Sequence, residues 1–401
     1  MDIDGERYYI VPDVDRMPPF LMSIVSDGDR WMFLSSAGGI TAGRRDVSRA
    51  LFPYETDDRL HTQGGKNGAV TVIRLLDRDR DDLWHPITGR TRRHQRRTLA
   101  KSVTGHAVIV EEHDTSTGLT FRSSWATSER YGFIRTATLI NDGEDIRSLE
   151  MIDGLVNILP HGLEPSLYLP MGNLANAYKR SEMLDPDLGL AVYSLESLVS
   201  DRPEPAQALR ATTVWSTGAD GAAVSLDPGA IRDFRAGEGV AGGSKTTGVP
   251  GAYLLHAAVE LRPGESRTWF IVADVGIDQQ GIAELRHRLR SLVDPSTELV
   301  TSVAATAREL AEVMARTDAL QCTEDEIATA HHLANVTYNV MRGGVPLDGY
   351  TVDTEEFSRY LSVRNRAVAT RHGAFIRQVA HTDDANLMRL AHEYLPFSFS
   401  R

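Results

Sequence analysis

The sequence predicts a mainly β protein, built as a large antiparallel β-sandwich and followed by a helical C-terminal part. Apolar and β-branched runs recur as far as Val275, and clusters of Gly, Asp, Asn and Pro that are typical of turns separate them. No helix-length periodic segment alternates with these runs, which favours an antiparallel sandwich over a parallel sheet flanked by helices. After Asp278 the apolar residues recur with helical spacing instead.

Ten runs are predicted to form strands, because each is rich in strand-forming residues and is bounded by turn residues. They are 30–34, 69–76, 106–110, 119–125, 131–140, 149–159, 190–199, 209–215, 252–261 and 268–275. Residues 236–251 contain six glycines and no aromatic residue, so we predict a mobile surface loop there. A phosphate-binding loop is not predicted within it, because Ser244 separates Gly243 from Lys245.

Helices are predicted from the C-terminal pattern and its capping residues. The first carries Ile282, Leu285, Leu289 and Leu292, and the second begins at Pro295 and carries Leu299, Val303, Leu310 and Met314. The third begins at Thr323 with Glu326 as a capping box, and its apolar face is Ile327, Ala330, Ala334, Tyr338 and Met341. Asp353 with Glu356 could cap a fourth helix, and a fifth is expected at 383–395.

These elements predict three domain ranges. Residues 1–277 would form the sandwich, 278–322 a helical linker, and 323–401 the start of a helical region. The chain is acidic, with a net charge of -12, which argues against nucleic acid or an anionic membrane as partner. No secretory signal and no apolar run long enough for a spanning helix are found, so we expect a soluble, cytoplasmic protein.

Motifs for catalysis or metal binding are absent from the sequence. Cys322 is the only cysteine, which excludes an intrachain disulfide and a thiolate metal cluster. HExxH and GxSxG patterns do not occur, so no catalytic residue and no metal ligand is predicted. Each of the five tryptophans could stack on a sugar ring, but core packing is the favoured interpretation.

Basic clusters provide the candidate binding residues. Arg364, Asn365 and Arg366, with Arg371 and His372, would place planar donors near one helix end, where they suit phosphate or sugar hydroxyls. The alternative is a solvated basic helix face. A second basic run at 90–101 follows an acidic run at 77–82, and we interpret the two as a solvated hairpin with compensating charges.

Several segments resemble the N-terminal part of the cellobiose-phosphorylase-like glycoside phosphorylases of the family 94 type. Residues 33–44 are similar to that family's early strand and glycine-rich turn, and the similarity continues through 51–58, 131–141 and 206–215. The resemblance implies a galactose-mutarotase-like super-sandwich, a helical linker and an (α/α)6 barrel. It also implies inverting cleavage of a β-glucosidic bond by inorganic phosphate, the co-substrate, without any other cofactor.

The resemblance places the family's general acid in the barrel, and this sequence offers too few helices after the linker to form one. We therefore expect the non-catalytic N-terminal part of an inverting phosphorylase acting on β-glucosides, inactive by itself. Its partners would be an oligo- or polysaccharide and a missing C-terminal catalytic region, and the sandwich could also form homodimer contacts. Arg44, which ends the segment at 33–44, joins Arg364, Asn365 and Arg366 as a candidate substrate-binding residue.

Two alternatives remain open at this stage. The chain could be a stand-alone saccharide-binding or scaffolding module, which would need an exposed aromatic platform. It could also be a mutarotase-like sandwich enzyme, which would need a His and a carboxylate within hydrogen-bond reach on a polar concave face.

Overall fold

The fold was analysed in a computed structural model that describes residues 2–3, 5–77, 82–197, 209–240, 242–317, 319–321, 323–341, 354–374 and 377. The predicted fold class is confirmed, since antiparallel sheets form most of the chain and helices follow them. The chain divides into two compact units, Met1–Thr306 and Ala307–Arg401. No helix among the described residues is long and apolar enough to cross a membrane.

Strands occupy most of the first unit. They are β1 (Asp2–Ile3), β2 (Glu6–Val11), β3 (Leu21–Val25), β4 (Arg30–Ser35), β5 (Ile40–Arg44), β6 (Ala50–Phe52), β7 (Gly68–Leu75), β8 (Leu83–Trp84), β9 (Gln95–Ser102), β10 (Ala107–Asp114), β11 (Leu119–Ser128), β12 (Gly132–Asn141), β13 (Arg147–Ile158), β14 (Lys179–Asp185), β15 (Leu190–Leu195), β16 (Arg210–Thr217), β17 (Ala223–Ser225), β18 (Lys245–Thr247), β19 (Gly251–Leu261) and β20 (Ser266–Asp278).

Short helices interrupt the strands, and longer ones follow them. They are α1 (Asp57–Leu60), α2 (Pro165–Tyr168), α3 (Gly172–Ala177), α4 (Ala230–Ala236), α5 (Gln279–Ser291), α6 (Pro295–Arg316), α7 (Glu326–Met341), α8 (Thr354–Arg364) and α9 (Arg366–Arg371).

The strands of the described residues form three sheets, and every pairing among them is antiparallel. The largest has the order β1-β2-β9-β10-β11-β12-β20-β16-β15-β14-β18, the second β17-β19-β13-β7-β8, and the third β3-β4-β5-β6. The main core contains residues of all three sheets, among them the fully buried Phe121, Phe133 and Leu149. Each run predicted as a strand overlaps one, because apolar side chains on these strands face that core.

Helices cover the outer faces of the two larger sheets, which explains why many strands are apolar on both sides. Phe234 of α4 packs on Val72 and Leu254 of the second sheet. Leu289 of α5 and Leu299 of α6 belong to a cluster with strand residues of the largest sheet. The tryptophans mostly belong to these interiors, since Trp84, Trp125, Trp215 and Trp269 are buried and Trp31 is partly buried.

Two predictions about connecting segments hold only in part. Residues 236–251 are not simply a surface loop, because β18 pairs with β14 and the Met183 amide donates to Ser244 O at 2.7 Å. In the basic run at 90–101, Arg92 does pair with Asp82 of the acidic run, at 2.5 Å, but most of the run is β9, paired with β10, and not a solvated arm. Arg97 in this strand is buried and pairs with the buried carboxylate of Glu112 at 2.6 Å.

The C-terminal helices begin near the predicted positions, but the face of α7 differs from the prediction. Leu333 and Thr337 are its buried residues, whereas Ile327 is 83% exposed. Thr337, one turn after Leu333, also faces inward, because its hydroxyl lies 3.5 Å from the sulfur of Met314 on α6.

The N-cap of α7 also differs from the prediction, because Asp325 accepts from the amides of Ile327 and Ala328. Asp353 and 383–395 lie outside the described residues.

Candidate functional site

A cavity of about 370 Å³ in the first unit brings basic side chains together from distant parts of the chain. We call it the arginine cavity; it is lined by Asp29, Arg44, Arg45, Arg49, His161, Arg210, Val275 and Gly276. These residues come from β5, β16 and β20, from the turn between β3 and β4, and from the connections that follow β5 and β13.

Backbone contacts hold the walls of the cavity in place. The Leu159 amide donates to Leu51 O at 2.9 Å, which joins the end of β13 to β6. The Thr212 hydroxyl donates to Leu159 O at 2.7 Å, which joins β16 to the same point. Because Arg49 precedes β6 and His161 follows β13, these bonds bring both to the start of β16, where Arg210 lies.

Two residues of the wall have a left-handed backbone. Arg45 has φ 58, which is uncommon for a residue with a side chain, and its amide donates to Asp29 O at 2.7 Å. Gly276 has φ +81 at an irregularity in the β16–β20 pairing. A Cβ there would lie 3.3 Å from His161 Nδ1, so a glycine lets the imidazole approach the strand closely.

Asp29 and Arg44 form the ionic floor of the cavity. Asp29 accepts from Arg44 Nε at 2.8 Å and from Arg45 Nε at 3.2 Å. Burial raises the pKa of Asp29, but the hydrogen bond and charge of Arg44 outweigh burial, so the net pKa lies below its ordinary value. Burial lowers the pKa of Arg44, and the carboxylates of Asp274 and Asp29 more than restore it. Both groups are therefore charged at neutral pH.

A buried layer behind the floor fixes Arg44. Asp274 lies 3.4 Å from Arg44 Nη1 and 3.8 Å from Arg30 Nη2. Burial raises the pKa of Asp274, against the charges of Arg30 and Arg44. Arg30 in turn donates to the side chain and the backbone oxygen of Glu129, at 2.5 Å and 2.9 Å. Arg44 is thus held from both sides before any ligand arrives.

Other donors around the cavity have few partners among the described residues. Arg49 makes no hydrogen bond, since its nearest carboxylate oxygen, on Asp46, is 3.9 Å from Nε. Arg210 donates only to Gly276 O, at 3.1 Å. His161 Nδ1 is buried and has no hydrogen-bond partner. Burial lowers the pKa of His161, and the charges of Arg210 and Arg49 lower it further. Guanidinium groups with open donors are suited to bind anions.

The residues predicted to bind substrate fall in two places. Arg44 lines the arginine cavity. Arg364 ends α8, and Asn365 and Arg366 begin α9 in the second unit. Asn365 has a structural role there, because its side-chain oxygen accepts from the Val368 amide at 3.1 Å and caps α9. The side chain of Arg366 is exposed.

Sequence reasoning missed His161, Arg49 and Arg210, since nothing in their local sequence distinguishes them. The Arg44-Arg45 doublet was the only local signal. A His–carboxylate pair also exists, with His106 Nε2 at 3.2 Å from Glu6 Oε1, but the His106 side chain is buried at the β9–β10 turn and does not line the cavity. Among the described residues, no three His, Cys, Asp or Glu side chains are grouped to hold a metal ion.

No protein-family model and no curated protein sequence matches the chain. Solved structures do resemble it. A bacterial glucoamylase in complex with acarbose aligns over 78% of this chain and 42% of its own, at 10% identity and a TM-score of 0.44. A human-microbiome protein described as a kojibiose phosphorylase aligns over 80% and 38%, at 7% identity and a TM-score of 0.42.

A galactose mutarotase-like protein from Lactobacillus casei aligns over 64% of this chain and 99% of its own, at 8% identity and a TM-score of 0.34. The chain therefore spans about two fifths of the glucoamylase and of the protein described as a kojibiose phosphorylase, but nearly the whole mutarotase-like protein.

Proposed function

We propose that this chain is the β-sandwich part of a carbohydrate-active protein and that the arginine cavity binds an anionic group of its saccharide ligand. One observation carries the binding site: four guanidinium groups and a buried, unpartnered imidazole nitrogen converge on one cavity. The saccharide rests on the sequence resemblance of residues 33–44, because this segment ends at Arg44, in the cavity wall.

The size and chemistry of the cavity suit a small ligand. Its volume of about 370 Å³ falls within the range of small-molecule sites, roughly 300–1,000 Å³. Arginine donors can bind a carboxylate or phosphate through two parallel hydrogen bonds, and the remaining donors can reach sugar hydroxyls. An anionic sugar would therefore satisfy donors that the protein itself leaves open.

The cavity is proposed to bind rather than to cleave. A general acid for glycoside chemistry needs a raised pKa. The pKa of Asp29 is instead lowered by Arg44, so this carboxyl group is ionised at neutral pH. Catalysis by an inverting phosphorylase on β-glucosides, with inorganic phosphate as co-substrate, would then depend on residues beyond this cavity. The same proposal includes a catalytic partner region and an oligo- or polysaccharide ligand.

The test is a calorimetric titration of the full chain with glucuronate, glucose 6-phosphate and glucose at low salt. We expect the two anionic sugars to bind and glucose to bind at least tenfold more weakly, since a charge-assisted contact is worth about 1.5–3 kcal/mol. Arg49→Ala and Arg210→Ala should each weaken anion binding about tenfold.

Arg232→Ala is the matched control, because this arginine lies on α4, is exposed and pairs only with its neighbour Asp233. It should leave the affinity unchanged. Equal binding of glucose and the anionic sugars, or equal loss in the Arg232 and Arg49 variants, would refute the proposed function.

A further inference from the structure

The groups around His161 indicate which anion the cavity takes. We infer that the arginine cavity binds a phosphomonoester dianion and that His161 takes up a proton when this group binds. The inference rests on the proposed function, because it concerns the same cavity, and it adds a ligand class and a coupling to pH.

The charge of the cavity favours a dianion. Its four guanidinium groups outnumber the nearby carboxylates of Asp29, Asp46 and Asp274. The surplus is one positive charge when Asp274 is ionised and two when it is protonated. A proton on His161 adds one more. A carboxylate would balance this surplus only while Asp274 is ionised and His161 is neutral, whereas a phosphomonoester carries about -1.5 to -2 charges at pH 7 and three acceptor oxygens, which match the larger surplus that a protonated Asp274 or His161 gives.

The volume favours a phosphate carried on an organic group over the bare ion. The cavity is comparable to sites that enclose small organic ligands, which start at roughly 300 Å³. A phosphate on a monosaccharide would leave its sugar to fill the space that the arginines do not line. Inorganic phosphate shares the same recognition chemistry, so the two must be compared directly.

His161 is positioned to respond to a bound anion. Its Nδ1 is buried close against Gly276 on β20 and has no hydrogen-bond partner among the described residues. The charged groups around it are Arg210 on β16 and Arg49 and Asp46 from the β5–β6 connection. Asp29, Arg44 and Arg45 form the remaining ionic wall of the cavity.

The free cavity holds the imidazole neutral. Burial is the main cause of its lowered pKa, the charges of Arg210 and Arg49 add to it, and Asp46 opposes them. A dianion placed among the same arginines reverses the local potential. The imidazolium form then becomes favourable, because its positive charge lies beside the bound dianion.

The experiment measures protons taken up on binding. Glucose 6-phosphate, inorganic phosphate and glucuronate are titrated into the full chain at pH 7.5, in two buffers of different ionisation enthalpy. The difference in apparent enthalpy gives the number of protons exchanged. His161→Asn is compared, because its amide keeps a donor near the position of Nδ1 but cannot titrate. Arg232→Ala serves again as control.

We expect glucose 6-phosphate to bind more tightly than either other ligand, and about tenfold more weakly to the His161→Asn variant. The wild-type chain should take up a larger fraction of a proton than this variant. An NMR titration of the wild-type chain tests the same point without a variant. The pKa of the His161 imidazole, read from its proton resonances, should rise when glucose 6-phosphate is added.

The outcomes separate the two proposals. Binding of glucose 6-phosphate with no extra proton uptake and no shift of the His161 resonances would overturn this inference and leave the anion site standing. Tighter binding of glucuronate than of glucose 6-phosphate would overturn the ligand class. Binding of inorganic phosphate alone would exclude the sugar phosphate. Failure of all three anions to bind would refute the proposed function itself.

Discussion

Arginines occupy two very different environments in this protein. Arg135 lies between the sheets, fully buried, and donates twice to Asp153, at 2.6 Å and 2.8 Å, as well as to Thr71 and Ser123. Arg49 lies in the wall of the arginine cavity and makes no hydrogen bond among the described residues. The comparison shows that the residue type does not decide the role of an arginine. An arginine whose donors are bonded to protein groups is structural, whereas one with open donors is available to a ligand.

The buried pair is satisfied on both sides, which is what makes its burial tolerable. Besides Arg135, Asp153 accepts from the Trp269 indole at 2.7 Å and from the Thr71 hydroxyl at 2.6 Å. These partners come from β7, β12, β13 and β20, so the network links the two larger sheets through their shared core.

The largest expected effect comes from breaking that pair. Asp153→Ala leaves the Arg135 charge buried and unpaired, so the free energy of unfolding should fall by about 3–5 kcal/mol in urea denaturation. Replacing both partners, as Arg135→Met with Asp153→Leu, should recover part of this loss, because no lone charge remains. A loss below about 1 kcal/mol for the single variant would contradict the structural role assigned to the pair.

An intermediate effect is expected for a buried cation without a carboxylate partner. Lys179 is buried, donates to Asn176 at 2.8 Å, and has its pKa lowered by burial from 10.5 to about 8. Between these values the unfolded chain holds a proton that the folded chain lacks, so stability should rise with pH from about 8 and stay lowest below it.

Lys179→Met should remove this rise and increase stability at pH 7 by roughly 2–3 kcal/mol. Urea unfolding of both chains from pH 7 to pH 10 measures the difference, which should shrink as the pH increases. A constant difference across that range would mean that the lysine does not titrate as its burial implies.

The smallest effect on stability is expected in the cavity. Arg49→Ala removes no hydrogen bond among the described residues, loses only an exposed 3.9 Å ion pair with Asp46 and relieves repulsion among like charges, so the free energy of unfolding should change by less than about 0.5 kcal/mol. Thermal unfolding with and without glucose 6-phosphate checks this, since only the ligand-induced stabilisation should be lost. A large loss of stability without ligand would place Arg49 with the structural arginines.

Local sequence patterns predicted where the strands lie, but they did not predict which face of a helix is buried. The runs at 131–140 and 252–261 correspond to β12 and β19, because turns and strand-forming residues are local features. For α7 the apolar residues suggested a face with Ile327 and Tyr338, yet Leu333 and Thr337 are buried. Which face is covered depends on the neighbouring helix, and no local pattern contains that information.

The sequence by itself determined that strands form most of the chain, that helices follow Asp278 and that Arg44 is a candidate substrate-binding residue. Spacing, turn residues and charge are properties of short segments, so the sequence shows them directly. Only the tertiary structure decided that Arg49, His161 and Arg210 share one cavity with it. Arg49, His161 and Arg210 lie far from one another in the chain and meet because antiparallel pairing and the bonds at Leu159 join the β5–β6 connection and the segment after β13 to the start of β16. The same packing left most of their donors open, while it gave Arg135 four hydrogen bonds.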